Sequence, residues 1–220
     1  MLAHALRPFV VASVLIAPTL VTPASAQDME FPRPTSWRVE PDSAAGDASG
    51  EIYFVEMPPG WHVTTGPPVA LWDPAISAAG IFRIEMEVYL FDPGGRQEPF
   101  GILVGGRGLG EPHQDYLSFL VREGGEYAVG RRMGSTTQTL IGWTRHPAIL
   151  SWSERPENEV TVRNTLAVEA REDQVGFIVN GREVVTLVRR ALRPLDGIVG
   201  IRVGGGLDLH VSRLEVFPGR

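Results

Sequence analysis

Phe82-Arg83-Ile84-Glu85-Met86-Glu87-Val88-Tyr89-Leu90 alternates without a break: Phe82, Ile84, Met86, Val88 and Leu90 are apolar, while Arg83, Glu85, Glu87 and Tyr89 between them are polar or amphipathic. A period of two is the mark of a half-buried β-strand, whose successive side chains point to opposite faces. A helix would scatter the same apolar residues around its surface. Val160 to Arg171 repeats the pattern, with Val160, Val162, Leu166, Val168 and Ala170 on one side and only Asn164 interrupting the apolar row. Val175 to Val179 then runs into Asn180-Gly181 and out through Glu183 to Leu187. Both residues of an Asn-Gly pair tolerate positive φ, so this segment predicts a tight hairpin.

Further strands are expected at Glu51–Glu56, Val69–Trp72, Phe100–Val104, Tyr116–Arg122, Glu126–Arg131, Gln138–Trp143, Ile149–Trp152, Ile198–Val203 and Leu207–Phe217. In the last, Leu207, Leu209 and Val211 share a face, but Leu214 and Val216 have the opposite parity. One extra residue near Ser212-Arg213 therefore predicts a bulge. No stretch of about a dozen residues has helical periodicity. About a dozen short strands separated by turns rich in Gly (25 residues) and Pro (18 residues) mean an all-β sandwich or barrel.

Outside this region the chain opens as an exported protein would. Arg7 supplies a positive start, Phe9 to Val21 is apolar, and Ala24-Ser25-Ala26 meets the small-x-small rule for cleavage before Gln27. Residues 1–26 are therefore read as a signal peptide and the mature chain as exported, to periplasm or medium, and soluble. The apolar run falls short of the ~20 residues a spanning helix needs, so no membrane span is expected after cleavage. Residues 27–50, rich in Pro, Ser, Ala, Gly and acids around Trp37 and Val39, read as an arm that contributes an edge strand and a loop. Residues 51–220 read as one domain without internal repeats.

Composition removes many chemistries. The chain has no Cys, and all 20 of its basic residues are Arg. Disulfides, thiolate nucleophiles, Cys-type zinc sites, Schiff-base lysines and the GxxxxGK[ST] phosphate loop are thereby excluded. A net charge of −6 is opposed to nucleic-acid binding. Gly105-Gly106-Arg107-Gly108-Leu109-Gly110 resembles a dinucleotide loop, but Glu111 stands where the pattern requires Gly and Pro112-His113 follow where a helix should open, so no nucleotide is expected.

The runs Gly60-Trp61-His62-Val63, Phe82 to Val88, Asn164-Thr165-Leu166-Ala167-Val168, Phe177-Ile178-Val179-Asn180-Gly181 and Gly197-Ile198-Val199-Gly200-Ile201-Arg202-Val203 resemble the concanavalin A-like lectin/glucanase superfamily. They are similar in particular to bacterial exported members such as 3-keto-disaccharide hydrolase and laminin-G-like domains. The resemblance implies a two-sheet antiparallel jelly-roll sandwich, one sheet concave, with carbohydrate as the usual ligand class. No cofactor is expected apart from the structural calcium ion that several members hold near the final strand, for which Asp208 is the candidate. The favoured competing reading is that Asp208 and His210, which share a strand face, form a surface polar pair. Fold alone does not assign function.

Glu85 and Glu87 lie two residues apart on one strand face, and with Asp115 they are the catalytic candidates. Laminarinase-type members carry a third acid where this chain has Tyr89 or Leu90, and Arg83 shares the face, so a salt-bridged stripe is the competing expectation. The His residues show no i+2, i+3 or i+4 pairing, and no G-x-S-x-G occurs. Trp61, Trp72, Trp143 and Trp152 lie near strand ends and are expected chiefly to pack. The polar-aromatic patch His113-Gln114-Asp115-Tyr116, with Arg131 and Trp143 as neighbours, is the expected ligand site.

Three functions follow: a non-catalytic domain binding carbohydrate or envelope glycan, a glycoside or 3-keto-disaccharide hydrolase using Glu85, Glu87, Asp115 or His113, and an envelope protein-interaction module. The missing acidic triplet favours the first.

Overall fold

The computed structural model describes residues 32–42, 50–192 and 194–219. They lie within one unit of the chain, Phe31–Arg220. The signal-peptide reading and half of the 27–50 arm fall outside the described residues. Among these residues, no helix is long and apolar enough to cross a membrane.

Fourteen strands are described: β1 (Arg38–Pro41), β2 (Tyr53–Glu56), β3 (Trp61–Thr64), β4 (Val69–Ala78), β5 (Phe82–Leu90), β6 (Phe100–Arg107), β7 (Asp115–Arg122), β8 (Glu126–Met133), β9 (Thr136–Arg145), β10 (Val162–Ala170), β11 (Gln174–Val179), β12 (Arg182–Val188), β13 (Gly197–Val203) and β14 (Asp208–Pro218). They form two seven-stranded antiparallel sheets, in the orders β1-β4-β13-β6-β7-β8-β9 and β12-β11-β10-β5-β14-β3-β2. The second is called the β5 sheet below. The paired sheets confirm the all-β class, and their many non-sequential neighbours reflect crossovers between sheets, as in a jelly roll.

The core lies between the sheets and uses the parity seen in the sequence. Phe82, Ile84, Met86, Val88 and Leu90 are each no more than 1% exposed. From the opposite sheet, Phe100, Ile102, Leu117, Phe119 and Val129 are similarly buried. Phe119 of β7 meets Phe177 of β11 across the interior with ring centroids 5.2 Å apart. Trp37, just before β1, packs on Trp61 and Phe54 at 4.7 and 5.4 Å, so Trp37 of the arm's apolar island joins the core, while Val39 is 41% exposed. The Tyr127 hydroxyl donates to the Val184 carbonyl at 3.1 Å and ties β8 to β12.

The Asn-Gly hairpin forms between β11 and β12, with φ of 49° at Asn180 and 76° at Gly181. The expected bulge is also present: β14 shifts register against β5 between Val211 and Arg213. Gly60 packs against it. With φ of 91°, a Cβ there would lie 2.0 Å from the Val211 carbonyl oxygen, so this close approach needs glycine.

One expected strand is absent. Residues 149–152 turn instead of extending: Ile149 N–H donates to the His146 carbonyl, and Trp152–Glu154 form one turn of 3-10 helix behind a Ser151 capping box. Ile149 is still buried, which explains the apolar signal. The backbone of its neighbour Leu150 is satisfied by a side chain and not by a strand. Asn164 Nδ2 donates to the Leu150 carbonyl at 3.0 Å, while Leu150 N–H donates to Asn164 Oδ1 at 2.9 Å. The Asn164 amide thus stands in for a peptide group of an adjacent strand, and this is why a polar residue interrupts the apolar row of β10. Asn180 Nδ2 donates to both Asn164 Oδ1 and the Ala148 carbonyl at 2.8 Å. Together the two asparagines pin residues 146–150 to the β5 sheet.

Candidate functional site

On the outer face of the β5 sheet, the polar half of the alternating strand is presented to solvent. Arg83 donates to Glu85 at 2.7 Å and to Glu169 of β10 at 2.9 Å. Glu169 also accepts from Arg171 at 3.0 Å, and Arg171 contacts Glu183 of β12 at 2.9 Å. On the other flank, Arg213 of β14 lies 3.5 Å from Glu85 and 3.9 Å from Glu215. Charges of alternating sign thus run across the face from Glu215 to Glu183. Each exposed pair contributes little stability alone, but the row fixes the orientation of every carboxylate in it.

Glu87 sits beside this row. Its Oε1 accepts from Ser212 at 2.7 Å and from Tyr89 at 3.3 Å, and Arg163 lies 3.4 Å from Oε2. Ser212 is the bulge residue, so the extra residue of β14 aims a hydroxyl at Glu87. The Ser212 hydroxyl, with help from Arg163 and Tyr89, holds the Glu87 carboxyl below its ordinary value of 4.5. Glu169 is lowered as well, first by its bond from Arg171 and then by Arg83. Groups with lowered folded pKa stabilise the native state above their unfolded value. This contribution should therefore be intact above about pH 4.5 and lost as the pH falls from there through the lower folded values. Thermal midpoints measured from pH 7 to pH 3 should decline over that window, and Ser212→Ala should make the decline shallower.

The pinned segment 146–161 rises beside β5 and β10, and between them lies a groove of about 980 Å³. Arg83, Glu85, Tyr89, Arg163 and Thr165 line it from the sheet, while Leu150 and Glu159 line it from the segment. Leu150 is 45% exposed, an apolar surface facing a polar floor. Such a mixture of a ring, an aliphatic wall and orienting polar groups is typical of small-ligand clefts. Arg163, Thr165 and the 147–161 wall were not singled out as site residues in the sequence, where only the asparagine breaking the β10 row hinted at the wall. Ser212 was marked by the phase break, but as a bulge and not as a partner of Glu87.

The residues of the expected ligand patch are distributed differently. Asp115 and Arg131 do meet: the guanidinium donates to both carboxylate oxygens at 2.7 and 2.8 Å. Arg131 is 3% exposed and pairs with Leu117 in register, on the inward parity of β8. Tyr116, the next residue after Asp115, points to the other face and packs with Ala70, Trp72 and Leu103; burial raises its phenol above the ordinary value. His113 lies in the β6–β7 turn against Gly108. Trp143 on β9 is 39% exposed with the Arg122 guanidinium 4.5 Å over its ring. Strand alternation thus separates Tyr116 from the Asp115–Arg131 pair.

Asp208 faces outward at the start of β14. Its Oδ1 lies 2.9 Å from His62 Nε2 and accepts from Thr64 at 3.3 Å. Among the described residues, no group of three or more His, Cys, Asp or Glu is arranged to hold a metal ion.

No protein-family model matches the sequence, and no curated protein matches it. Solved structures do resemble it. The carbohydrate-binding module CBM66 from Bacillus subtilis superposes with a TM-score of 0.59 at 12% identity, covering 83% of this chain and 96% of that one. A GH16 protein of the Bacteroides ovatus mixed linkage glucan PUL, in complex with its product, gives 0.57 at 8% identity, covering 86% and 98%. The catalytic domain of an endo-1,3-beta-glucanase (laminarinase) from Thermotoga petrophila RKU-1 gives 0.54 at 11% identity, covering 88% and 95%. These likenesses show a shared fold, a two-sheet antiparallel sandwich of the kind the sequence resemblance implied.

Proposed function

We propose that this chain is an exported, non-catalytic domain that binds carbohydrate or envelope glycan in the groove between the β5 sheet and segment 146–161. The observation that carries the reading is the pairing of the carboxylates on this face, Glu85 lining the groove and Glu87 beside it. Glu85 is gripped by Arg83 and Arg213, and Glu87 is held ionised by three donors. A glycosidase needs one carboxyl kept protonated near neutral pH as the acid. Both groups here are arranged to accept hydrogen bonds, which suits hydroxyl recognition. Tyr89 offers a ring for the apolar face of a sugar, and Thr165 and Arg163 offer donors beside it. The likeness in fold to a carbohydrate-binding module supports the same reading.

The likeness in fold to a laminarinase keeps one alternative, hydrolysis through Glu85 or Glu87. Both readings are tested together by titrating the folded protein with laminari- and mixed-linkage gluco-oligosaccharides while following heat release and reducing ends. Binding without new reducing ends is expected, weakened about tenfold or more in Tyr89→Ala. A flat response across a broad glycan panel would sink the binding reading. Turnover abolished by Glu85→Gln would replace it with the hydrolase.

A further inference from the structure

Two of the buried side-chain nitrogens without a hydrogen-bond partner are the Nδ1 atoms of His62 and His210. These residues stand directly opposite each other on the neighbouring antiparallel strands β3 and β14. Their tautomers follow from their partners. His62 Nε2 lies 2.9 Å from Asp208 Oδ1, and an ionised carboxylate only accepts, so Nε2 carries the proton and Nδ1 of the neutral ring is a bare lone pair. His210 is hydrogen-bonded to the Pro59 carbonyl. Because its Nδ1 has no partner, Nε2–H makes that bond, and Nδ1 is again bare.

Buried acceptors without donors are uncommon and call for a reason. Here the same vacancy occurs twice, on two facing residues. Metal-ligating histidines show this arrangement: one ring N–H is given to a carboxylate or backbone carbonyl, and the other nitrogen binds the ion. Facing residues of an antiparallel pair have Cβ atoms about 4.5–5.5 Å apart. Each Nδ1 is two bonds from its Cβ, so both can reach one ion at the ~2.0–2.1 Å typical of imidazole. Phe91 and Tyr53 flank His62 at 5.5 and 6.4 Å, and Tyr89 flanks His210 at 6.0 Å.

We propose that His62 and His210 form a two-imidazole site for a divalent transition-metal ion, with Asp208 and the Pro59 carbonyl as the partners that fix both tautomers. Solvent completes the coordination, since no third protein ligand converges there among the described residues. Thr64 steadies the Asp208 carboxylate. The ligand type suits Cu²⁺, Ni²⁺ and Zn²⁺, with Cu²⁺ bound most tightly of the three. The site adjoins the glycan groove through Tyr89, which lines the groove and flanks His210, but neither histidine lines the groove and the site does not depend on that reading.

The test uses the full chain, titrated with Zn²⁺ and then Cu²⁺ in a non-chelating buffer, together with ¹⁵N spectra of the imidazoles. One equivalent of Zn²⁺ should move both Nδ1 resonances while both Nε2 nitrogens stay protonated. His210→Gln should weaken binding by at least tenfold, and Asp208→Asn by about 10–100-fold through the tautomer of His62. The His62→Gln/His210→Gln variant, which keeps the other three histidines, measures any binding elsewhere. Affinity in that double variant equal to the parent's would overturn the proposal, as would Nδ1 resonances indifferent to Zn²⁺. The spectra of the unsubstituted chain decide the matter even where a variant fails to fold.

Discussion

Arg131→Met is expected to destabilise the sandwich by about 3–5 kcal/mol, the range for removing one partner of a buried ion pair. The guanidinium is 3% exposed, holds both oxygens of Asp115, and occupies an inward position of β8 opposite Leu117. The substitution removes the guanidinium that donates to both oxygens of Asp115, whose side chain is 20% exposed. Replacing both members, Arg131→Met with Asp115→Leu, should recover most of the loss, because well-packed apolar residues often replace buried pairs at little cost. Urea denaturation of the two variants and the parent checks this. A single variant within about 1 kcal/mol of the parent would show that the pair is effectively solvated.

Asn164→Leu is expected to cost about 2–4 kcal/mol despite the similar side-chain volume. The substitution removes both partners of Leu150 and one acceptor of Asn180, and each buried polar group left unsatisfied costs about 1–3 kcal/mol. The effect should also be local. Amides of residues 146–154 should exchange faster with solvent than those of β5 or β10, since the anchor of that segment is lost while the sheet ladder remains. Under the proposed function, oligosaccharide affinity should fall with the wall of the groove. Uniform acceleration of exchange across the domain would mean that Asn164 supports the core and not the segment.

Much of the architecture was legible because strand periodicity is a local property. The parity of Phe82 to Leu90, the Asn180-Gly181 turn and the phase break at Ser212 each report on a few neighbouring residues, and each has its counterpart in β5, the β11–β12 hairpin and the β14 bulge. Ile149–Trp152 misled for a related reason. Its apolar content recorded burial of Ile149 but not the route by which the backbone is satisfied, which runs through a side chain fourteen positions away. Arg131 was expected near Asp115, and the two do meet, but its inward orientation was not legible, because a charged residue at an inward position looks in sequence like an outward one.

The candidate site shows the same division. Sequence alone established that Arg83, Glu85, Glu87 and Tyr89 share one face, because side chains of a strand repeat every second residue. It also established the chemistries that a chain without Cys or Lys cannot perform. Only the tertiary structure decided what that face meets. The order of strands in the sheet sets Arg213 and Ser212 on one side of the acids and Arg163 and Glu169 on the other, and the asparagine pair holds a wall over them. Those neighbours come from segments up to about 130 residues distant in sequence, joined by pairing that no local pattern encodes. Which donors reach Glu85 and Glu87 is set by the pairing of β5 with β10 and β14 inside one sheet, so their surroundings became readable only when those strands were placed side by side.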